Sequence, residues 1–323
     1  MRNFIILTLI LLTAIILDFC GVSVAQNLKT IIIFSFLSLA LHFVVGLTGL
    51  LHLGIAAFMA LGAYTFSILT SEIYPFQVGF WWGIIFSIAI GATIGGIVGV
   101  PILRLRGDYL AMVTLGFGEI TQDVLKNAEV ITKGTQGINP LPVPSFFGIM
   151  VDTDRSFFIL GSFLLLLCVY LLSNIENSKF GRRMESIRDD ELAAGSIKIS
   201  AAKTKILSLM IAGAVAGLSG ALFAVSLSAS GEPGNYDFQI SVLALCMVIV
   251  GGLGNLYGAL IGTFTVLSIN TFLLGFISEF LSRTFEELPS YLLPSSYKYA
   301  VFGLMLILIT RLKPDGIIRR KTS

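Results

Sequence analysis

The chain has 323 residues, of which 55% are hydrophobic and 12% are charged, and its mean hydropathy is +0.91. About a quarter of the residues in soluble proteins are charged, so this composition excludes a soluble fold and predicts an all-α, polytopic membrane protein. The formal net charge of +2 gives no support for nucleic-acid binding.

Apolar runs of about 20 residues, the length that crosses the hydrocarbon layer, recur along the chain and predict about ten transmembrane helices. The single transmembrane domain that they form is expected to cover residues 1–323. The eighth run is short, which indicates a broken or tilted helix. The predicted spans are approximately 4–24, 28–47, 52–71, 80–103, 107–128, 155–174, 203–228, 238–253, 256–276 and 297–311.

The first run has two interpretations. Arg2, the apolar stretch and Ser23-Val24-Ala25 together resemble a secretory signal with its small-residue cleavage site. We favour a retained span, and removal of this segment would leave the orientation of the following spans unchanged.

Glycines repeat every four residues in three of the predicted spans. Such ridges allow helix backbones to approach closely in lipid, so we interpret these glycines as packing positions that identify no substrate. They are Gly91, Gly95 and Gly99 in one span, Gly213 and Gly217 in another, and Gly254, Gly258 and Gly262 in a third.

The fifth span contains ionisable and polar side chains. Glu119 lies about half way along it, and Gln122 and Asp123 follow. A carboxylate at that depth is costly unless it faces a cavity or a partner. We interpret Glu119 as lining a pathway, and a buried structural carboxylate remains an equal alternative.

A polar loop of residues 176–203 interrupts the apolar runs. With the N-terminus in the cytoplasm, this loop and the other cytoplasmic segments carry 15 of the 21 lysines and arginines. Cytoplasmic loops of membrane proteins are enriched in these residues. The distribution therefore predicts a cytoplasmic loop at 176–203 and cytoplasmic N- and C-termini.

Several kinds of chemistry have no residues to support them. No GxxxxGK[ST] motif is present, so the chain is not expected to bind ATP by a phosphate-binding loop. HExxH and nucleophile-elbow motifs are also lacking, and an enzyme is not expected. Cys20, Cys168 and Cys246 are isolated, as are the two histidines, so we predict no disulfide, metal site or resident cofactor.

Six segments, taken together and in order, resemble the permease subunits of branched-chain amino acid ABC transporters, particularly the LivM type. The resemblance covers residues 40–316 approximately. The segments are GLTGLLHLGIAAFMALGAY (46–64), RLRGDYLAMVTLGFGEI (104–120), TKGTQGI (132–138), FGRRMESIRDDELAAGSI (180–197), MVIVGGLGNLYGALIGT (247–263) and LKPDGI (312–317).

This resemblance implies an importer permease fold in a bacterial inner membrane. The expected partners are a second, LivH-type permease, two ATP-binding subunits that hold the ATP, a periplasmic substrate-binding protein and membrane lipid. The pathway between the permeases is expected to be broad and apolar. Its hypothetical contributors in this chain are Thr114, Gly116, Glu119 and Gln122.

Residues 188–194 occupy the position of the family's coupling helix, a short cytoplasmic helix that docks on the ATPase. The acidic residues suit a helix N-terminus and the cations that follow suit its end, while the paired alanines offer a small docking surface. The residues are Arg188, Asp189, Asp190, Glu191, Leu192, Ala193 and Ala194.

Two lysines depart from the family pattern. Lys198 stands four positions after Ala194, where a glycine is usual, and Gly195 is an alternative end for the coupling helix. Lys133 replaces the first glycine of the usual TGG segment in an outer loop. These departures limit the transfer of residue roles from the family.

Two alternative functions stay open at the level of sequence. One is the same type of importer carrying urea or a short amide, because those permeases look similar. The other, of a different class, is a self-sufficient channel or secondary transporter that uses Glu119 as its coupling group.

Overall fold

The structure is a computed structural model. It describes residues 7–8, 25–103, 105, 107–142, 145–146, 149–150, 153–269, 298–313 and 316–318. Twelve helices run through these residues, and the all-α prediction is confirmed apart from one two-stranded hairpin of two-residue strands, β1 (Ser145–Phe146) and β2 (Ile149–Met150).

The helices are numbered in chain order. They are α1 (Ala25–Leu41), α2 (Ile55–Thr70), α3 (Phe80–Ile102), α4 (Asp108–Asn127), α5 (Glu129–Thr132), α6 (Asp154–Glu176), α7 (Lys179–Asp189), α8 (Glu191–Ser196), α9 (Ala201–Leu227), α10 (Phe238–Gly251), α11 (Leu256–Ser268) and α12 (Lys298–Leu312). A π-helical turn, His42–Leu47, continues α1, and 3-10 turns occur at Gly134–Gln136 and Pro233–Tyr236.

Nine of the predicted spans overlap helices of the structure. Only Leu7 and Thr8 of the predicted first span are described, so most of that prediction lies outside the described residues. Within the described part, five helical segments are long and apolar enough to cross a membrane unaided. They are Leu28–Leu47, Phe80–Ile102, Asp154–Glu176, Ala201–Leu227 and Pro233–Gly251.

Helix α1 lies at the centre of the bundle. Every residue from Ile31 to Thr48 is buried, and α2, α6, α9, α10 and α11 all pack against this helix or its π turn. A helix that is hydrophobic nearly all round is typically buried in this way. The hydroxyl groups of Ser38 and Ser219 bond backbone carbonyls across this core, to Ala259 and Ile33 respectively.

Glycines of α3 and α9 bring these two helix backbones into direct contact. A Cβ atom added to Gly91 would lie 2.1 Å from the Gly213 carbonyl oxygen, and one added to Gly95 would lie 2.3 Å from the Leu209 carbonyl oxygen. At Gly217 it would lie 2.4 Å from the Ser87 carbonyl oxygen. We call Gly91, Gly95, Gly213 and Gly217 the glycine seam.

The remaining predicted packing glycines differ in their surroundings. Gly99 is less tightly packed, since an added Cβ would lie 3.3 Å from the side chains of Ile206 and Leu209. In α11, Gly262 faces the Met247 carbonyl oxygen and Gly258 faces that of Gly251. Gly254 was predicted in the same helical ridge, but it lies before the helix begins, in a turn with φ +85°.

The loops gather at two ends of the bundle. We call the end that contains residues 188–194 the coupling end. There, Arg188 contacts Gly49, and Gly316 lies against Gly252. At the opposite end, the Leu141 amide donates to the Ser228 carbonyl, while the Tyr74 hydroxyl donates to the Ile131 carbonyl. Successive long helices therefore run alternately between the two ends, as expected for a multi-pass membrane protein.

Candidate functional site

The coupling segment, defined as residues 188–194, does not form one helix. Arg188 and Asp189 end α7, and the short helix α8 begins at Glu191. Asp190 separates the two helices because its carboxylate caps α8, accepting hydrogen bonds from the amides of Leu192 at 2.8 Å and Ala193 at 3.0 Å. Such an N-cap typically stabilises a helix start by about 1 kcal/mol.

The buried Lys205 anchors α8 to the bundle. Its ammonium group lies 2.7 Å from the Glu191 carboxylate, and only 6% of the Lys205 side chain is exposed. Because an unpaired charge is costly in such a place, this pair fixes the first turn of α8 against α9. Ala194 is also buried, so one face of α8 is held while the other is free.

The free face of α8 is apolar. Leu192 is 77% exposed, Ile197 is 68% exposed, and Ala193 lies between them on the surface. We call these three residues the exposed tip. Apolar side chains presented by an otherwise polar loop are typical of an interaction site.

Lys198 ends α8 in the left-handed region, with φ +65°. The Lys198 amide donates to the Gly195 carbonyl, and the Ile199 amide donates to the Ala194 carbonyl. This pair of bonds is the Schellman motif, in which glycine is preferred at the left-handed position. Gly195 lies within α8, so the helix does not end there as the alternative prediction had it.

Lys133 has the same unusual conformation at the opposite end, with φ +62°. Its ammonium group lies 5.8 Å from the centre of the Tyr74 ring. Lys133 and Lys198 thus both occupy left-handed backbone positions that favour glycine.

Arg188 links the coupling segment to the centre of the bundle. Its guanidinium group donates to the Gly46 carbonyl in the π turn. The same turn accepts a hydrogen bond from Ser208 of α9 at the Phe43 carbonyl, and the Nε2 atom of His42 lies 3.7 Å from a Glu176 carboxylate oxygen. A π-helical turn leaves backbone groups displaced from the regular ladder, and here α7 and α9 supply their partners.

Beside Arg188, a cavity of about 310 Å³ opens at the coupling end. Thr48 and Gly49 line one side, and Asp189, Glu191 and Lys205 line the other. The cavity places the acidic start of α8 beside the loop that connects α1 to α2.

The predicted pathway residues on α4 fall on two different faces. Glu119 is exposed, and an added Cβ at Gly116 would have no atom within 4 Å. Thr114 and Gln122 are buried inside the subunit, so these two do not share the exposed face with Glu119. Around Glu119 that face is apolar, with exposed side chains of Met112, Val113, Ile120 and Val124.

Thr114 supports the loop in front of α2. Its hydroxyl accepts a hydrogen bond from the Leu53 amide at 3.0 Å, and the Gly54 amide donates to the His52 Nδ1 atom at 3.2 Å. Ser241 of α10 accepts from the Ala56 amide. Side chains therefore satisfy the amides at the start of α2, which its own helix leaves unpaired.

The sequence did not indicate the burial of Lys205, the exposure of Ile197 or the bond between Arg188 and Gly46. In the sequence Lys205 is one of several cations in a polar stretch, and its pairing with Glu191 depends on the tertiary arrangement. Ile197 could have been found, because it is an apolar residue inside a charged stretch.

The family of the chain follows from comparison with known proteins. Residues 23–310 match the model of the branched-chain amino acid transport system permease component. The chain belongs to this family, a class of multi-pass membrane subunits of ABC transporters, and the family prediction is confirmed.

Individual relatives make the resemblance more specific. The high-affinity branched-chain amino acid transport system permease proteins LivM of Salmonella typhimurium and Escherichia coli are each 32% identical over 309 residues, which covers 88% of this chain and 68% of theirs. A probable LivM protein of Methanocaldococcus jannaschii is 25% identical over 246 residues, covering 74% of this chain and 68% of its own. No solved structure matches the chain significantly.

Proposed function

We propose that this chain is one of two permease subunits of an ABC importer that moves branched-chain amino acids across a bacterial inner membrane. The observation that carries the proposal is the exposed tip on α8, held rigidly by Asp190 and Lys205 in a chain of this family. ATP is bound by two separate subunits, and the exposed tip docks on one of them.

The coupling end faces the cytoplasm in this proposal, and both termini lie on that side. Lysines and arginines of α7 and α9, together with Arg311 and Lys313, concentrate there among the described residues, which fits the bias of cytoplasmic loops. Residues 176–203 form the cytoplasmic coupling loop of a single permease domain, residues 1–323. Lys133 lies on the periplasmic side, where the substrate-binding protein delivers its cargo.

A displacement of the exposed tip by the ATP-binding subunits reaches the bundle by two contacts of the coupling segment. The Glu191–Lys205 pair connects α8 to α9, and the bond from Arg188, at the end of α7, to Gly46 connects α7 to the π turn and α1. Since α1 is buried on all sides, a displacement of its end shifts the helices packed around it.

The pathway in this proposal runs along the exposed face of α4. Glu119 and Gly116 line it at mid-depth, opposite the second, LivH-type permease, while Thr114 and Gln122 hold that helix in place from behind. An exposed carboxylate among apolar side chains is costly against lipid, so contact with a partner subunit or an aqueous route accounts for its position. Selection of the cargo rests mainly with the substrate-binding protein.

Reconstitution tests the proposal. The chain is assembled in proteoliposomes with the neighbouring permease, ATP-binding subunits and substrate-binding protein, and ATP-dependent uptake of radiolabelled leucine is measured with urea as competitor. We expect leucine uptake that urea does not reduce. Ala193→Arg should abolish uptake by blocking the exposed tip, whereas Ala202→Arg, at an exposed position in the first turn of α9, should leave it unchanged.

Other results would replace the proposal. Uptake of urea without leucine would keep the ABC importer and change its cargo. Leucine transport by the purified chain without ATP-binding subunits would indicate a channel or secondary transporter. Equal uptake by the Ala193→Arg and original complexes would remove the exposed tip from the mechanism.

A further inference from the structure

A groove of about 590 Å³ opens on the outer surface of the bundle, between the end of α6 and the start of α9. Its walls are almost entirely apolar. Leu171 and Leu207 are each about half exposed there, so they face outward without a partner among the described residues. The lining residues are Leu171, Asn174, Ile175, Ser178, Phe180, Leu207 and Ile211.

The groove extends from the membrane-spanning part of the bundle to the end where α6 stops and α9 starts. Its lining positions run from Leu171 on α6 to Ser178 just after α6, seven residues toward the coupling end. On α9, Ile211 and Leu207 line the groove, and the exposed Lys203 lies one turn nearer the coupling end. The apolar groove therefore has a cation beside it at the end where the membrane-spanning helices stop.

Three exposed cations are close along the chain to the residues that line this end of the groove. Lys179 follows the lining residue Ser178, Arg183 lies one turn further along α7, and Lys203 lies on the facing start of α9; all three are exposed. No ion pair joins them to a carboxylate within the described part of the chain. Arg182, also exposed, donates to the Asn177 carbonyl.

We propose that this groove binds an anionic phospholipid of the cytoplasmic leaflet. One acyl chain packs against Leu171, Leu207 and Ile211, and the phosphate lies among Lys179, Arg183 and Lys203. Basic residues at a membrane surface attract anionic lipids. The apolar trough below them distinguishes this site from a general surface attraction, because it holds a chain as well as a charge.

The position of the groove favours a lipid over a water-soluble partner. Leu171 and Ile211 lie on membrane-spanning helices, at a depth that a water-soluble ATP-binding subunit does not reach. The exposed tip that suits such a subunit lies on α8, beyond the end of α7. A lipid of the leaflet reaches both parts of the groove at once.

Quenching by brominated lipids tests the site directly. A reporter chain carries Trp81→Phe, Trp82→Phe and Leu207→Trp, which leaves one tryptophan in the groove because the sequence contains two. Its fluorescence is measured in vesicles of equal phosphatidylglycerol and phosphatidylcholine, with the bromine on either one or the other lipid. We expect an apparent affinity ratio of about tenfold or more in favour of the anionic lipid, given three cations.

Two charge variants of the reporter serve as a matched pair. Lys179→Gln, Arg183→Gln and Lys203→Gln together should reduce the ratio to about one, as expected when the charge attraction is removed. Arg311→Gln with Lys313→Gln, which removes two exposed cations at the same end of the bundle, should leave the ratio high. All variants must first elute from size exclusion like the original chain.

Three results would overturn the proposal. Equal quenching by the two lipids in the reporter would mean that the groove selects no charge. A preference that survives the triple substitution would place the anionic lipid elsewhere. No quenching by either lipid would show that protein, and not lipid, covers the groove.

Discussion

Helices α3 and α4 follow one another and are similar in length, with 23 and 20 residues, but they meet their surroundings differently. The seam glycines of α3 touch the backbone of α9, so that face is complete within the subunit. The face of α4 that carries Glu119 has no such partner among the described residues. The seam glycines mark contacts inside the subunit, whereas the exposed carboxylate indicates contacts beyond it.

The largest effect is expected at the glycine seam. Gly213→Ala places a methyl group 2.1 Å from the Gly91 carbonyl oxygen, so α3 and α9 must separate. Overpacking of this kind costs about 3 kcal/mol, and we expect loss of monodisperse protein in detergent. Size-exclusion chromatography measures the fraction of monodisperse protein, and thermal unfolding measures the loss of stability.

The matched substitution on α4 sharpens the contrast. Gly116→Ala meets no atom within 4 Å and replaces a poor helix former by a good one, which favours the helix by about 1 kcal/mol. Its melting temperature should stay the same or rise. A similar loss of stability at both glycines would show that the two faces do not differ as described.

The substitution Glu119→Gln tests whether the exposed face of α4 takes part in transport. Because Glu119 contributes no packing inside the subunit, stability should be unchanged, while leucine uptake by the assembled transporter should fall about tenfold if the lost charge interaction is worth about 1.4 kcal/mol. Asp123→Asn provides the control, since Asp123 lies one turn further on and faces Lys126 at 3.9 Å. Normal uptake by a correctly assembled Glu119→Gln complex would exclude the residue from the pathway.

A smaller effect, on stability, is expected at Thr114, on the buried side of α4. Thr114→Val removes the hydroxyl that accepts from the Leu53 amide, and an unsatisfied buried amide costs about 1–3 kcal/mol. The melting temperature should fall accordingly. Thr93→Val is the control, because Thr93 is exposed and bonds only to its own helix; an equal fall in both variants would contradict the supporting role of Thr114.

The smallest effect concerns a backbone position. Lys198→Gly removes the strain of a side-chain-bearing residue in the left-handed conformation, at φ +65°, and should stabilise the protein by about 1 kcal/mol. Lys133→Gly should gain less, because it also removes the contact with the Tyr74 ring, worth about 0.5–1 kcal/mol. Denaturant titration measures both, and Lys203→Gly, inside a helix, should instead destabilise.

Most of the fold could be predicted from hydropathy. The predicted span 80–103 corresponds to Phe80–Ile102, and 155–174 corresponds to Asp154–Glu176, because each is a continuous apolar run. The π turn at His42–Leu47 and the turn at Gly254 could not be located in this way. Both lie within nearly continuous apolar sequence, and the π turn has partners, Arg188 and Ser208, that are distant along the chain.

The candidate site was predicted less completely. The acidic and alanine-rich sequence indicated a short helix near 188–194, but its start moved to Glu191 because Asp190 caps it. Helical spacing could not show that Thr114 and Gln122 face inward while Glu119 faces outward, since inward and outward are defined by α2 and α10. Burial of Lys205 likewise depends on the folded arrangement.

The π turn makes chain length a determinant of how the coupling segment is aligned with the membrane helices. Deleting one residue between His42 and Leu47 would allow an ordinary α-helix to continue there. The hydrogen bonds of that turn would then return to the regular i to i−4 pattern, and the Gly46 carbonyl would no longer be presented to Arg188 in the same way. A deletion in this short stretch would thus weaken the link between α7 and α1 while changing almost none of the composition.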